Sequence, residues 1–190
     1  MHANSKMAAI VALIAMATAT AAQAQEQQRT CITRDQFRNA ALFVLPDVIE
    51  GIGEVCRPAL GATGYLTSEG PALIARYRAL QAQAWISARG ALALIPNVPA
   101  AMRNLPDDAL KPFVAGMAKQ MIKQAVKPAD CSNWDQAVHL LAPLPPENMA
   151  GLITVLAEAF DRDTKRKNPK NHGMFCLGEP VSITLPAPKP

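Results

Sequence analysis

The chain has 190 residues, half of them apolar, with 19 Lys and Arg against 15 Asp and Glu and four cysteines. That length allows one domain with a real apolar core, and a formal net charge of +4 leaves nucleic-acid binding without an electrostatic footprint. No C-x-x-C occurs, so thioredoxin chemistry, c-type haem attachment and zinc ribbons lack their minimum motif, and no cofactor or metal is expected.

Residues Met1 to Ala24 have the form of a secretory signal: one basic residue, Lys6, then the apolar run Met7 to Ala17, then the small-residue site Ala22-Gln23-Ala24. The run is too short to span a bilayer. A soluble mature chain starting near Gln25, with a net charge of +3 once Lys6 is removed from the +4 of the whole, is therefore expected in the periplasm or outside the cell. Cys31, Cys56, Cys131 and Cys176 all follow the cleavage point. An even number of cysteines in an oxidising compartment predicts two disulfides.

Aromatic and β-branched residues are sparse and apolar positions recur every three or four, which predicts an all-α, disulfide-stapled helical bundle over residues 25–185. Thr33 and Gln36 form a capping box for a helix with Phe37, Ala41, Val44 and Leu45 on one face. Pro46 is expected to end that helix and, with Asp47 beside it, to start another that buries Val48, Ile49, Ile52, Val55 and Cys56. On this second helix Asp47, Glu50 and Glu54 read as a solvated acidic edge, because general acid–base work needs two carboxylates in contrasted environments. Arg57 to Glu69 reads as a loop.

Ala72 to Leu94 predicts a long helix with Leu73, Tyr77, Leu80 and Ala84 in register, bent or broken at Gly90 and closed by Pro96 and Pro99. Leu105-Pro106-Asp107 opens the next segment, which Pro112 is expected to divide. Phe113, Met117 and Met121 read as a core face there, with Lys119, Gln120, Lys123 and Gln124 toward solvent. Asn133 with Gln136 predicts a capped short helix. Pro146-Glu147 starts a helix expected to bury Met149, Leu152, Ile153, Leu156 and Phe160. Lys165, Arg166, Lys167 and Lys170 then form a basic loop, Val181 to Leu185 an extended segment, and Pro186 to Pro190 a disordered tail.

Residues 31–56 and 131–156 echo each other one hundred positions apart, sharing Cys31/Cys131, Asp35/Asp135, Gln36/Gln136, Pro46/Pro146, Gly51/Gly151 and Val55/Val155. The shared content is a cysteine, a capped short helix and a proline-started second helix, which suggests two related helical hairpins. Of three possible connectivities, Cys31 to Cys56 and Cys131 to Cys176 is preferred, because each bridge would then close one hairpin.

Candidate chemistry is thin. Ser132, Asp135 and His139 could make a hydrolytic set, with Asp135 and His139 one helical turn apart, but no G-x-S-x-G elbow accompanies them and the positions suit helix caps and a surface pair. His172, Met174 and Cys176 alternate as soft ligands for copper(I), a role closed to Cys176 once it is in a disulfide. The basic residues Lys165 to Lys170 could dock on an anionic envelope surface. The reading that fits best is a binding or scaffold module for a small apolar ligand or a protein partner, without a transmembrane segment. Docking through the basic loop and hydrolysis by Ser132, Asp135 and His139 are the alternatives.

Overall fold

In the computed structural model, which describes residues 31–94, 100–168 and 173–176, the Thr33–Gln36 capping box forms as the sequence predicts. The Gln36 amide donates to Thr33 Oγ1 at 3.2 Å, and the Thr33 amide donates to Gln36 Oε1 at 3.0 Å. The helix begun there, α1 (Arg34–Leu60), runs for 27 residues, about 40 Å at 1.5 Å per residue. It ends at Gly61, whose φ of 63° places it in the left-handed region that favours glycine and whose amide returns to the Arg57 carbonyl.

Pro46 neither ends nor restarts the helix; it lies inside α1, fully buried. An interior proline costs about 3 kcal/mol, because it removes one hydrogen bond and pushes on the turn before it. Here the turn is bridged from outside: the Gln81 side-chain amide donates to the Phe43 carbonyl at 2.8 Å and to Asp47 Oδ2 at 3.2 Å. The expected hairpin over residues 31–56 is therefore one straight-through helix. Likewise the expected loop from Arg57 is helical to Leu60, and Tyr65–Ser68 forms a further helical turn, α2.

The other elements are α3 (Gly70–Leu94), α4 (Ala100–Arg103), α5 (Asp107–Ala125), a 3₁₀ turn at Pro128–Asp130, α6 (Cys131–Leu141) and α7 (Pro146–Lys167). Neither Gly90 nor Pro112 breaks its helix, and α6 starts at Cys131, which leaves Asn133 inside its first turn rather than at its cap. Among the described residues there is no strand, only a single parallel bridge between Ile32 and Phe175. The fold is a disulfide-stapled all-α bundle. The signal segment Met1 to Ala24, Pro96, Pro99, Lys170, His172 and everything after Cys176 lie outside the described residues.

Helix α1 is the axis, packed most extensively against α3 and also against α5 and α7, with α2 and α6 near its far end. The α1–α3 seam is apolar and follows the predicted register: Leu73, Tyr77 and Ala84 are buried, Leu80 is half-buried, and the Phe43 and Trp85 rings sit 4.7 Å apart. The α1–α5 seam is of another kind. A Cβ on Gly51 would come within 2.6 Å of Ile122, so only glycine lets the two helices approach this closely. Beside that contact Lys119 pairs with Glu54 and, at 3.2 Å, with Glu50, while Lys123 holds Glu54 at 2.8 Å and Arg78 of α3 holds Glu50 at 2.8 Å. The acidic edge is thus an ion-pair seam and not a solvated face.

Cys56 is bonded to Cys131, tying α1 to the start of α6 with both residues buried. This overturns the preferred Cys31–Cys56 and Cys131–Cys176 bridges, which assumed two hairpins. Cys31 and Cys176 are the two that remain, and neither is free. The echo fails in three dimensions for a local reason. Where the first copy has Phe43 and Leu45, the second has Pro143 and Pro145, so three of the four positions 143–146 lack the amide that a continuing helix needs. Pro145, ahead of Pro146, takes φ −54° and ψ 142°, and α6 and α7 separate there.

Two outcomes are expected. Peptide mapping without reduction should recover Cys56 joined to Cys131, and replacing both by Ala should cost about 4 kcal/mol in denaturant unfolding, since the bridge spans a separation of 75 residues. The second concerns acid. The two lysine hydrogen bonds hold the Glu54 carboxyl down from its ordinary 4.5 to about 2, and the same pairing raises Lys119. A lowered carboxyl contributes its stability in full above its unfolded value and loses it as pH falls through the folded one. Thermal melts of wild type and Glu54→Gln should therefore differ above pH 4.5 and converge toward pH 2, the difference being at most about 1 kcal/mol for so accessible a group.

Candidate docking surface

Helix α7 starts at Pro146 as expected, yet it is rotated so that the predicted core stripe points outward. Leu152, Val155, Leu156 and Phe160 are 40, 62, 50 and 71% exposed, whereas Ala150, Thr154 and Glu158 are at most 5% exposed. Met149 and Ile153 are half-buried at the margin. The buried residues recur every four positions, a stripe of small and polar side chains that lets α7 lie close on α1.

Polar anchors set that rotation. Glu158 receives the Arg34 guanidinium in a two-point pair, Nη2 to Oε2 at 2.6 Å, and Arg162 stands 3.5 Å away. Thr154 returns its hydroxyl to the Ala150 carbonyl at 2.7 Å, so its burial leaves nothing unsatisfied. One turn further, the Asp161 carboxylate accepts the backbone amides of Met174 and Phe175 at 2.8 and 3.3 Å. Phe175 is itself held by the bridge to Ile32 and by the Phe37 ring at 4.9 Å. Turning the apolar stripe inward would give up all of these contacts, the two-point Arg34–Glu158 pair and the Asp161 hold on the 174–175 backbone included.

The same pattern recurs on α5. Leu110, Val114 and Ile122 face α1, Lys119 and Lys123 turn inward to its carboxylates, and Phe113, Met117 and Met121, expected in the core, are exposed.

The other sequence candidates fall in separate places. Asp135 accepts the amides of Tyr65 and Leu66 at 3.1 and 2.7 Å, capping the short α2 from a neighbouring helix. His139 stacks on the Tyr65 ring at 4.6 Å, nearly parallel. Ser132 is exposed, and among the described residues no hydrogen bond joins the three. Lys165, Arg166 and Lys167 belong to the last turn of α7 and not to a loop. Met174 is exposed and Cys176 is in a disulfide. Among the described residues no three His, Cys, Asp or Glu side chains are grouped to hold a metal ion.

A cleft of about 510 Å³ opens between α1, α3 and α5, lined by Phe43, Asp47, Arg78, Gln81, Lys111 and Pro112 among others. Burial pushes the Asp47 carboxyl up, against the lowering pull of Arg78 and Gln81. The polar groups there already serve the fold: Arg78 holds Glu50, Gln81 bridges the proline turn, and Lys111 lies 5.7 Å over the Trp85 ring.

Comparison with protein-family models, with curated proteins and with solved structures finds no match for this chain.

Glu158, Arg34 and Asp161 were not singled out by the sequence pattern. The available signal was the four-residue spacing of Ala150, Thr154 and Glu158, a second stripe on the same helix that apolar periodicity outweighs. Exposure then decides the energetics: Leu156→Ala should cost about 1 kcal/mol or less, because half its surface is already wet, whereas Ile52→Ala, at a position 3% exposed, should cost about 2–5 kcal/mol. Urea unfolding of the two variants checks the contrast.

Proposed function

We propose that this protein is a non-enzymatic binding module of an oxidising compartment outside the cytoplasm, exported by its amino-terminal signal, which meets a macromolecular partner through the outer face of α7. The observation that carries this reading is the outward stripe Leu152, Val155, Leu156 and Phe160 on a helix whose opposite face is firmly anchored. An apolar stripe held in solvent by ion pairs on the other side is a docking surface by default. The disulfides fit an oxidising compartment, and among the described residues no helix is long and apolar enough to cross a membrane.

A small apolar ligand has less support, because the α1–α3–α5 cleft is open and its polar groups are engaged by the fold. Hydrolysis has less still, since Asp135 is spent on the α2 amides and His139 on the Tyr65 ring.

A photo-crosslinking amino acid at position 160, in cells that produce the protein, should give a discrete adduct that the same group at exposed Gln83 does not. Leu156→Gln combined with Phe160→Gln should abolish partner binding and leave the thermal midpoint nearly unchanged. Equal labelling at both positions, or a double variant that binds like wild type, would overturn the assignment of α7.

A further inference from the structure

The outer face of α7 changes character along its length. Its middle carries the four exposed apolar side chains over about 12 Å, and beyond them it carries Arg166 and Lys167 with the acid Asp163 between, while Arg162 turns to the buried Glu158 and Lys165 packs against Gly173. Arg166 stands eleven residues after Val155, and Lys167 seven after Phe160, close to three and two whole turns. These two cations therefore continue the apolar stripe on the same side of the helix. Their side chains are 83 and 74% exposed and hold Asp163 at 3.0 and 2.6 Å. Pairs so exposed contribute little, so another anion can replace Asp163 at small cost.

We propose that this face docks on an anionic phospholipid bilayer, lying in the plane of the interface with Leu152, Val155, Leu156 and Phe160 at the acyl boundary and Arg166 and Lys167 on headgroup phosphates. The proposal rests on the reading of α7 as the docking surface and names its occupant. Two features favour a bilayer over a protein. The surface is the convex back of one helix, which a soft, planar partner meets without needing a matching groove. Its apolar side chains are in line with cations at the end of the stripe, the arrangement by which interfacial helices combine acyl contact with attraction to anionic lipid.

The test is co-flotation with equimolar phosphatidylglycerol and phosphatidylcholine vesicles, and with pure phosphatidylcholine vesicles. It uses the oxidised full-length chain and the same chain beginning at Gln25, so that the apolar run Met7 to Ala17 cannot account for binding. Both forms should bind the anionic vesicles. Arg166→Gln with Lys167→Gln should weaken that binding roughly thirtyfold, an effect that fades with added salt. Leu156→Gln with Phe160→Gln should weaken it at least roughly tenfold at every salt concentration. Wild type that stays with the unbound fraction, or either double variant binding like wild type, would overturn the proposal. A protein adduct at position 160 without vesicle binding would reject the bilayer and keep α7 as a docking face. Neither adduct nor vesicle binding would reject both.

Discussion

Everything in this fold is hung on α1 being one uninterrupted helix. Its 27 residues contact α2, α3, α5, α6 and α7, and a break at Pro46 would divide that common axis at the level where α3 packs. Beside the fully buried proline ring, Gln81 of α3 donates to the Phe43 carbonyl and to Asp47. The turns on either side of a local defect of about 3 kcal/mol are thus tied to α3 by a partner 34 to 38 positions away in the chain.

The helices around that axis attach by two different kinds of contact. Helix α3 attaches by apolar packing, with Tyr77 and the Phe43–Trp85 pair at its centre. Helices α5 and α7 add charge to apolar contact: Lys119 and Lys123 reach the α1 carboxylates beside Leu110, Val114 and Ile122, and Glu158 reaches Arg34. With these charges facing α1, Phe113, Met117 and Met121 of α5 and Leu152, Val155, Leu156 and Phe160 of α7 face solvent. Hydrophobic burial would favour the opposite rotation; against it stand the two-point pair of Glu158 with Arg34 and the Asp161 bonds to the Met174 and Phe175 amides, all of which that rotation would give up. The close approach allowed by Ala150 and Gly51 adds to the charged side.

That competition links the fold to the function proposed for it. Exposed Leu, Val and Phe are ordinary when scattered. On α7 they form one continuous stripe on a helix whose rotation is pinned at Glu158 and Asp161, at two points one turn apart. Such a face is pre-organised, so binding to it needs little conformational ordering. Asp135 and His139 seat α6 on α2, the first as a cap and the second as a stacking partner.

The sequence by itself determined several helix starts, because those signals are local. A capping box at Thr33 and prolines at 106 and 146 each act within one turn of backbone. It also determined that the fold is all-α and that the cysteines pair. What it could not determine was any choice that depends on which helix lies alongside. The continuity of α1 depended on what packs around the buried Pro46, the pairing of Cys56 with Cys131 needed α1 and α6 to meet, and the inward faces of α5 and α7 needed the α1 charges opposite Lys119 and Glu158. Apolar periodicity records the face a helix would bury if hydrophobic contact were its only partner. Tertiary structure decided otherwise here because a buried charge must find its counter-ion, and that counter-ion lies far away in the chain.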